Sequence, residues 1–278
     1  MPAQRIAENL AFINWTVLTS LAVGAFAAVG FARERTDATR GFLGFTGACA
    51  VVFGLLALAS DWALPPSLAG SPIAANPAWD VPRRVALAAF CALATAYVIA
   101  IARRRRALPI AVGGVGAAAL VLGFGALGWG GGILGAVPLL VQLVALSAAT
   151  GGVFAAMILG HWYLVTPRLS ERPLILLSRL LTAVIAVQVA LFVVWVALGA
   201  GPGGAAAFGV LVGPWALFVW LRLIVGLLFP LIVSWAATQT ARSRSMESAT
   251  GLLYINVGSI AAGTILAAGL YFGGGLLV

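Results

Sequence analysis

"YVIAIARRRRALPIAVGG", residues 97–114, decides the fold. Four arginines stand between two apolar runs, and no other residue in the stretch carries charge. An amphipathic hairpin in water spreads charge along one face of each helix; here all of it is confined to the turn. Followed outward, the runs cover about 84–102 and about 107–129, each near the roughly 20 residues that cross a bilayer core. The stretch reads as two membrane-spanning helices joined by a basic turn.

The same pattern extends along the whole chain. Of its 278 residues, 63% are hydrophobic and 8% charged, with a mean hydropathy of +1.11. A soluble domain carries about 25% charged residues, so this chain lacks the charge to cover itself with a hydrated surface. Eight apolar segments mark off at about 9–32, 41–64, 84–102, 107–129, 134–165, 174–200, 207–241 and 248–272. The expected fold is all-α: a polytopic membrane protein with eight transmembrane helices, residues 1–278 forming one integral membrane domain. The first segment, from Leu10 to Ala32, is too long for a signal-peptide core and has no small-residue cleavage pattern, so it reads as a retained span.

Linkers alternate in character. The first, third, fifth and seventh are "RERTDATR", "RRRR", "TPRLSERP" and "ARSRS"; the others are a proline-rich loop from Pro65 to Pro82, "GWGGG" and "GAGPGG". Arg33, Arg35, Arg40, Arg103 to Arg106, Arg168, Arg172, Arg179, Arg242 and Arg244 therefore share one side, twelve of the sixteen basic residues. By the positive-inside rule this side is cytoplasmic, which puts both termini outside a cytoplasmic (inner) membrane. Charge confined to turns also argues against nucleic acid as the partner of this basic chain, and points to membrane lipids instead. Seven of the nine tryptophans fall toward the opposite side, as an interfacial aromatic belt; Trp162 and Trp235 lie toward the arginines.

Similar stretches recur in the two halves. Span 1 contains "AVGAFAAVGF" and span 5 "ATGGVFAAMILG"; span 4 leaves into "GWGGG" and span 8 into "YFGGG". Two parallel four-helix halves, 1–132 and 133–278, would account for this. The small residues would let helices approach closely, and Gly151 with Gly152 would interrupt span 5 near mid-depth.

In so apolar a chain the polar residues inside spans are the informative ones, because a charge at mid-membrane needs a cavity or a partner. At ~1.5 Å per residue, Arg222 lies ~28 Å from the cytoplasmic end of its helix and Asp61 ~30 Å from Arg40. Gln142, Gln188 and Asn14 fall near the same height, with Trp215 and Trp220 above Arg222. These residues are expected to form one polar pocket in the outer leaflet, with Arg222 paired to Asp61. Gly226 and Pro230 should bend the same helix and open space beside it.

His161, the only histidine, lies ~8 Å inside the cytoplasmic boundary, in a layer that Tyr163, Tyr254 and Asn256 can share. It reads as an interfacial histidine hydrogen-bonded between helices, with a proton path through His161, Tyr163 and Tyr254 as the alternative. A lone histidine cannot supply bis-histidine haem ligation, and no carboxylate cluster accompanies it, so neither haem nor metal is expected from this chain alone. Cys49 and Cys91 fall inside spans and read as small packing residues. The sequence contains no Walker loop, nucleophile elbow, zinc motif or CxxC.

"WLRLIVGLLFPLIVSW", with Gly226 and Pro230, and "ASDWALP" at residues 59–65 resemble the NrfD/polysulfide-reductase family of eight-helix membrane subunits. That resemblance implies two four-helix halves, both termini outside, quinone as the bound redox carrier, and an iron–sulfur or haem protein docked on the outer face. Carried over by position, it touches only Asp61 and the Gly226/Pro230 helix; Arg222, Gln142, Gln188 and Trp220 as quinone contacts come from the depth argument. The expected function is a quinone-interacting or anchoring subunit of a respiratory or photosynthetic electron-transfer complex. Two other readings stand beside it: a transporter or channel gated by an intramembrane arginine, and a structural subunit for assembly.

Overall fold

The computed structural model describes residues 1–166 and 169–278; Arg168, counted above among the cytoplasmic arginines, lies outside the described residues. Among the described residues every regular element is helical. A short helix, Pro2–Glu8, precedes eight helices long and apolar enough to cross a membrane. Spans 1 to 8 are Leu10–Arg35, Arg40–Trp62, Pro77–Ala102, Leu108–Trp129, Ile133–Val165, Arg172–Leu198, Ala216–Arg242 and Met246–Gly274. The chain is an all-α, polytopic integral membrane protein. Helices are the natural answer to this composition, since a bilayer core offers backbone groups no water and each span bonds its own.

Successive spans run antiparallel, so the arginine-bearing turns share one face of the bundle (the arginine face) and the remaining linkers share the other (the loop face). Both chain ends lie on the loop face, where Gly273 of span 8 packs beside Arg5 and Ile6 of the first helix.

Spans 1 and 5 form the centre. A Cβ on Gly24 would stand 1.8 Å from the Ser147 carbonyl oxygen, and one on Gly151 would stand 2.0 Å from the Ala25 nitrogen. Only glycine lets these two backbones touch. One turn away, Ser147 Oγ donates to Ser20 Oγ at 3.4 Å. Ser20 and Ser147 are 127 residues apart in sequence, as are Gly24 and Gly151, which also touch at this crossing. At the loop-face ends of spans 4 and 8, Trp129 and Phe272 meet edge to face at 5.4 Å.

At two places the helices differ from the sequence expectation. Gly151 and Gly152 do not interrupt span 5, which is one helix from Ile133 to Val165; Gly151 serves the contact with span 1 instead. The seventh membrane helix starts at Ala216 rather than near 207. The preceding residues form an apolar loop tied to the chain end, with Gly203 N donating to Gly275 O at 3.0 Å and Leu277 N to Ala200 O at 3.0 Å. Its glycines and prolines oppose helix, and apolar composition alone hid this.

Candidate functional site

The residues expected to form one pocket are distributed over several separate places. Asp61, fully buried in the last turn of span 2, does not meet Arg222. Arg83 Nε donates to Asp61 Oδ2 at 2.6 Å and Arg84 Nε to Oδ1 at 2.9 Å. Arg83 is itself 1% exposed and its Nη1 lies 3.0 Å from Asp80 Oδ1. Its guanidinium sits 4.6 Å from the Trp129 ring centroid and 5.7 Å from that of Trp15; Arg84 lies over Trp62 at 4.7 Å. Hydropathy concealed this cluster because "VPRRV" follows a proline-rich loop and reads as interfacial. The available signal was two arginines in the first turn of a span whose neighbour ends in an aspartate.

Arg222 is 2% exposed and has neutral partners only. Its Nη2 donates to Gln188 Oε1 at 2.8 Å and its Nη1 to Gly226 O at 3.2 Å, while Nε has no partner. Pro230 explains the second bond: lacking an N–H, it leaves the carbonyl four residues back, that of Gly226, without a helical donor. The helix widens to a π-turn over Ile224–Leu228, and Ser259 Oγ takes up the Val225 carbonyl. Gly226 and Gly263 make room by letting spans 7 and 8 cross backbone to backbone. Gln188 is fixed in turn by donating to Ala145 O at 2.7 Å.

Counted from the Gly24–Gly151 contact, Trp15 lies nine residues toward the loop face and Ala145 six. Along the helices, Ala145 beside Gln188 is thus ~4–5 Å closer to that contact than Trp15 beside Arg83. Gln142 belongs to neither: its Nε2 donates to Val278 O at 2.8 Å and its Oε1 accepts from Trp195 Nε1. Trp220 is 44% exposed and donates to Leu211 O at 3.2 Å. Asn14 donates to Ser60 Oγ at 3.3 Å, beside Asp61.

Near the arginine face the arrangement differs. A cleft of about 540 Å³ opens between spans 2, 5 and 8. Its walls are Phe45 and Cys49 of span 2, Phe154, Met157, Ile158 and Trp162 of span 5, and Tyr254 of span 8. His161 points into it, with Nδ1 3.5 Å from the Tyr254 hydroxyl. That separation is at the limit of a hydrogen bond, so both groups keep capacity for another partner. Gly41 gives Trp162 its place, since a Cβ there would meet the indole at 2.4 Å. Phe154 is held edge to face on Phe53 at 5.3 Å. The other residues of that layer turn away: Tyr163 is buried and donates to the Ser170 carbonyl, and Asn256 donates to Ser234 Oγ at 2.7 Å.

A cleft of this size, mostly apolar with two polar groups converging at one end, has the make-up of a small-molecule site. A second groove, lined by Gly24, Phe31, Gly152, Leu177, Leu181 and Val184, holds about 180 Å³ and no titratable group. Cys49 and Cys91 are free thiols; Cys91 is buried and Cys49 half-buried in the cleft wall. No group of three or more histidine, cysteine or acidic residues that could hold a metal ion occurs among the described residues. No protein-family model, no curated protein and no solved structure matches the chain.

Proposed function

We propose that this protein is a quinone-interacting membrane subunit of an electron-transfer complex, and that the ring binds in the cleft at His161 and Tyr254. One observation carries the reading. The cleft joins an aromatic, lipid-level wall to two groups able to exchange protons and hydrogen-bond carbonyl oxygens. A quinone is flat and apolar and carries two carbonyls. Reducing it takes two electrons and two protons, the electrons from an iron–sulfur or haem partner and the protons through groups such as His161. By the positive-inside rule the arginine face is cytoplasmic, so protons would be exchanged on that side. The family resemblance of the sequence leads to the same class of function, with the ring now assigned to the arginine face instead of beside Arg222.

Equilibrium binding of a short-chain quinone to the purified chain tests this. Tyr254→Phe and His161→Ala should each weaken binding ~2–10-fold, the equivalent of one hydrogen bond of about 0.5–1.5 kcal/mol. Cys49→Trp should fill the cleft and remove binding. Unchanged affinity in all three variants would refute the assignment.

Arg222 favours a second reading, a transporter or channel with an arginine gate, because a buried guanidinium without a carboxylate is a fixed positive barrier. Ion flux into liposomes that changes with Arg222→Gln and ignores Tyr254→Phe would select that reading.

A further inference from the structure

We propose that the turn between spans 3 and 4 binds the phosphodiester headgroup of an anionic phospholipid. Arg103 to Arg106 are all exposed, and none lies within 4.0 Å of a carboxylate among the described residues. Span 3 ends at Ala102 and span 4 starts at Leu108, so the turn cannot rise beyond the headgroup layer into which its helices lead. Guanidinium groups held there match phosphate oxygens by bidentate hydrogen bonding. A membrane lipid therefore fits better than a soluble partner protein, which a turn this short would reach poorly.

The backbone supplies a second, independent observation. Arg104 closes the helix in the left-handed region, φ 56°, with Arg105 N donating to Ala100 O at 2.9 Å. Glycine is the usual residue at that position because a Cβ is strained there. Arginine in its place keeps a side chain at the cost of strain. The turn between spans 7 and 8 repeats the geometry: Arg244 has φ 61° and Ser245 N donates to Thr240 O at 3.0 Å. There, however, the guanidinium meets Glu171 Oε1 at 3.2 Å. The Glu171 carboxyl is held below the usual range, first by its own backbone N–H and then by Arg244. One turn satisfies its left-handed arginine internally, and the other presents it to the membrane. Nearby, Arg33 lies 6.0 Å from the Tyr97 ring of span 3, so further positive charge borders the same edge.

The test uses the full chain in detergent, with phosphatidylglycerol retention counted by native mass spectrometry and thermal unfolding read beside it. Arg104→Gly relieves the left-handed strain while deleting one guanidinium. In neutral phosphatidylcholine it should melt at or above the wild-type temperature, yet retain phosphatidylglycerol roughly five-fold less, since each basic residue contributes appreciably to anionic-lipid binding. Replacing all four arginines with Gln should lower retention at least ~100-fold. Arg5→Gln on the loop face should leave retention unchanged. Inorganic phosphate at equal concentration should not reproduce the thermal shift given by the lipid. Equal phosphatidylglycerol retention by wild type and Arg104→Gly, or a phosphate effect as large as that of the lipid, would overturn the proposal. So would a four-Gln variant that keeps the lipid while losing a co-purifying acidic protein.

Discussion

Arg83 and Arg222 are both buried arginines, on spans 3 and 7, and their surroundings are opposite. Arg83 shares the fully buried Asp61 with Arg84, touches Asp80, and lies against two tryptophans. Arg222 has an amide, one main-chain carbonyl and an empty Nε. The residue that holds Arg222 is Gln188, 127 positions after Asp61, the same interval that separates the touching pairs Ser20/Ser147 and Gly24/Gly151. Carboxylates neutralise the one cation, and dipoles alone solvate the other. Of the seven acidic residues, Asp61 and Asp80 are held by Arg83, and the other five sit in the terminal helix, in turns or at helix ends. Arg222 is left without a carboxylate to balance it.

Breaking the neutralised cluster should have the largest effect. Asp61→Ala leaves the buried Arg83 with only the part-exposed Asp80 and Arg84 with no carboxylate, and should destabilise the fold by about 3–5 kcal/mol, measured as a loss of thermal stability in detergent. Gly24→Ala comes next. Its new Cβ would meet the Ser147 carbonyl at 1.8 Å, so spans 1 and 5 must separate. Overpacking of that kind costs about 1–3 kcal/mol, and the same unfolding assay reads it. Arg222→Met should cost less than Asp61→Ala, about 1–3 kcal/mol, because it strands only the Gly226 carbonyl and the Gln188 amide oxygen. A result equal to or above that of Asp61→Ala would mean that Arg222 has a counter-charge after all. The smallest expected change sharpens the comparison. Gln188→Glu places a carboxylate at the Arg222 guanidinium but gives up the amide's bond to Ala145 O and sets an oxygen there, so the stronger charged bond should leave a net rise of less than about 1 kcal/mol. A destabilising Gln188→Glu would show that desolvating the new carboxylate outweighs pairing, and the parallel with Asp61 would fail.

The two clusters also mark where sequence reading stops. The eight spans were legible because apolar length and arginine-bearing turns are one-dimensional signals. Pairing is not one of them. Depth along a helix put Asp61 and Arg222 at similar heights, but height says nothing about azimuth, and Asp61 faces span 3. The apolar loop before Ala216 looked like membrane helix because hydropathy does not register Gly213–Pro214 as a break. Gly151–Gly152 looked like a break because glycine is a weak helix former, whereas a lipid-embedded helix keeps its hydrogen bonds regardless. The Gly226–Pro230 interval was readable in principle, since a proline frees the carbonyl four residues earlier and Arg222 stands four residues before that glycine. His161 and Tyr254 lie at comparable distances from the arginine face, which sequence could give. That Phe45, Cys49 and Trp162 line one cleft with them is a tertiary fact.

The buried arginines are thus absorbed in holding helices together, and the cleft has polar capacity to spare. The most direct measurement is photo-crosslinking of the intact protein with a photoreactive quinone analogue, followed by peptide mapping. Adducts are expected on span 2 around Phe45–Cys49 and on span 5 around Met157–Trp162, suppressed by excess unlabelled quinone and by Cys49→Trp. Adducts concentrated on Trp215–Arg222, unaffected by Cys49→Trp, would contradict it.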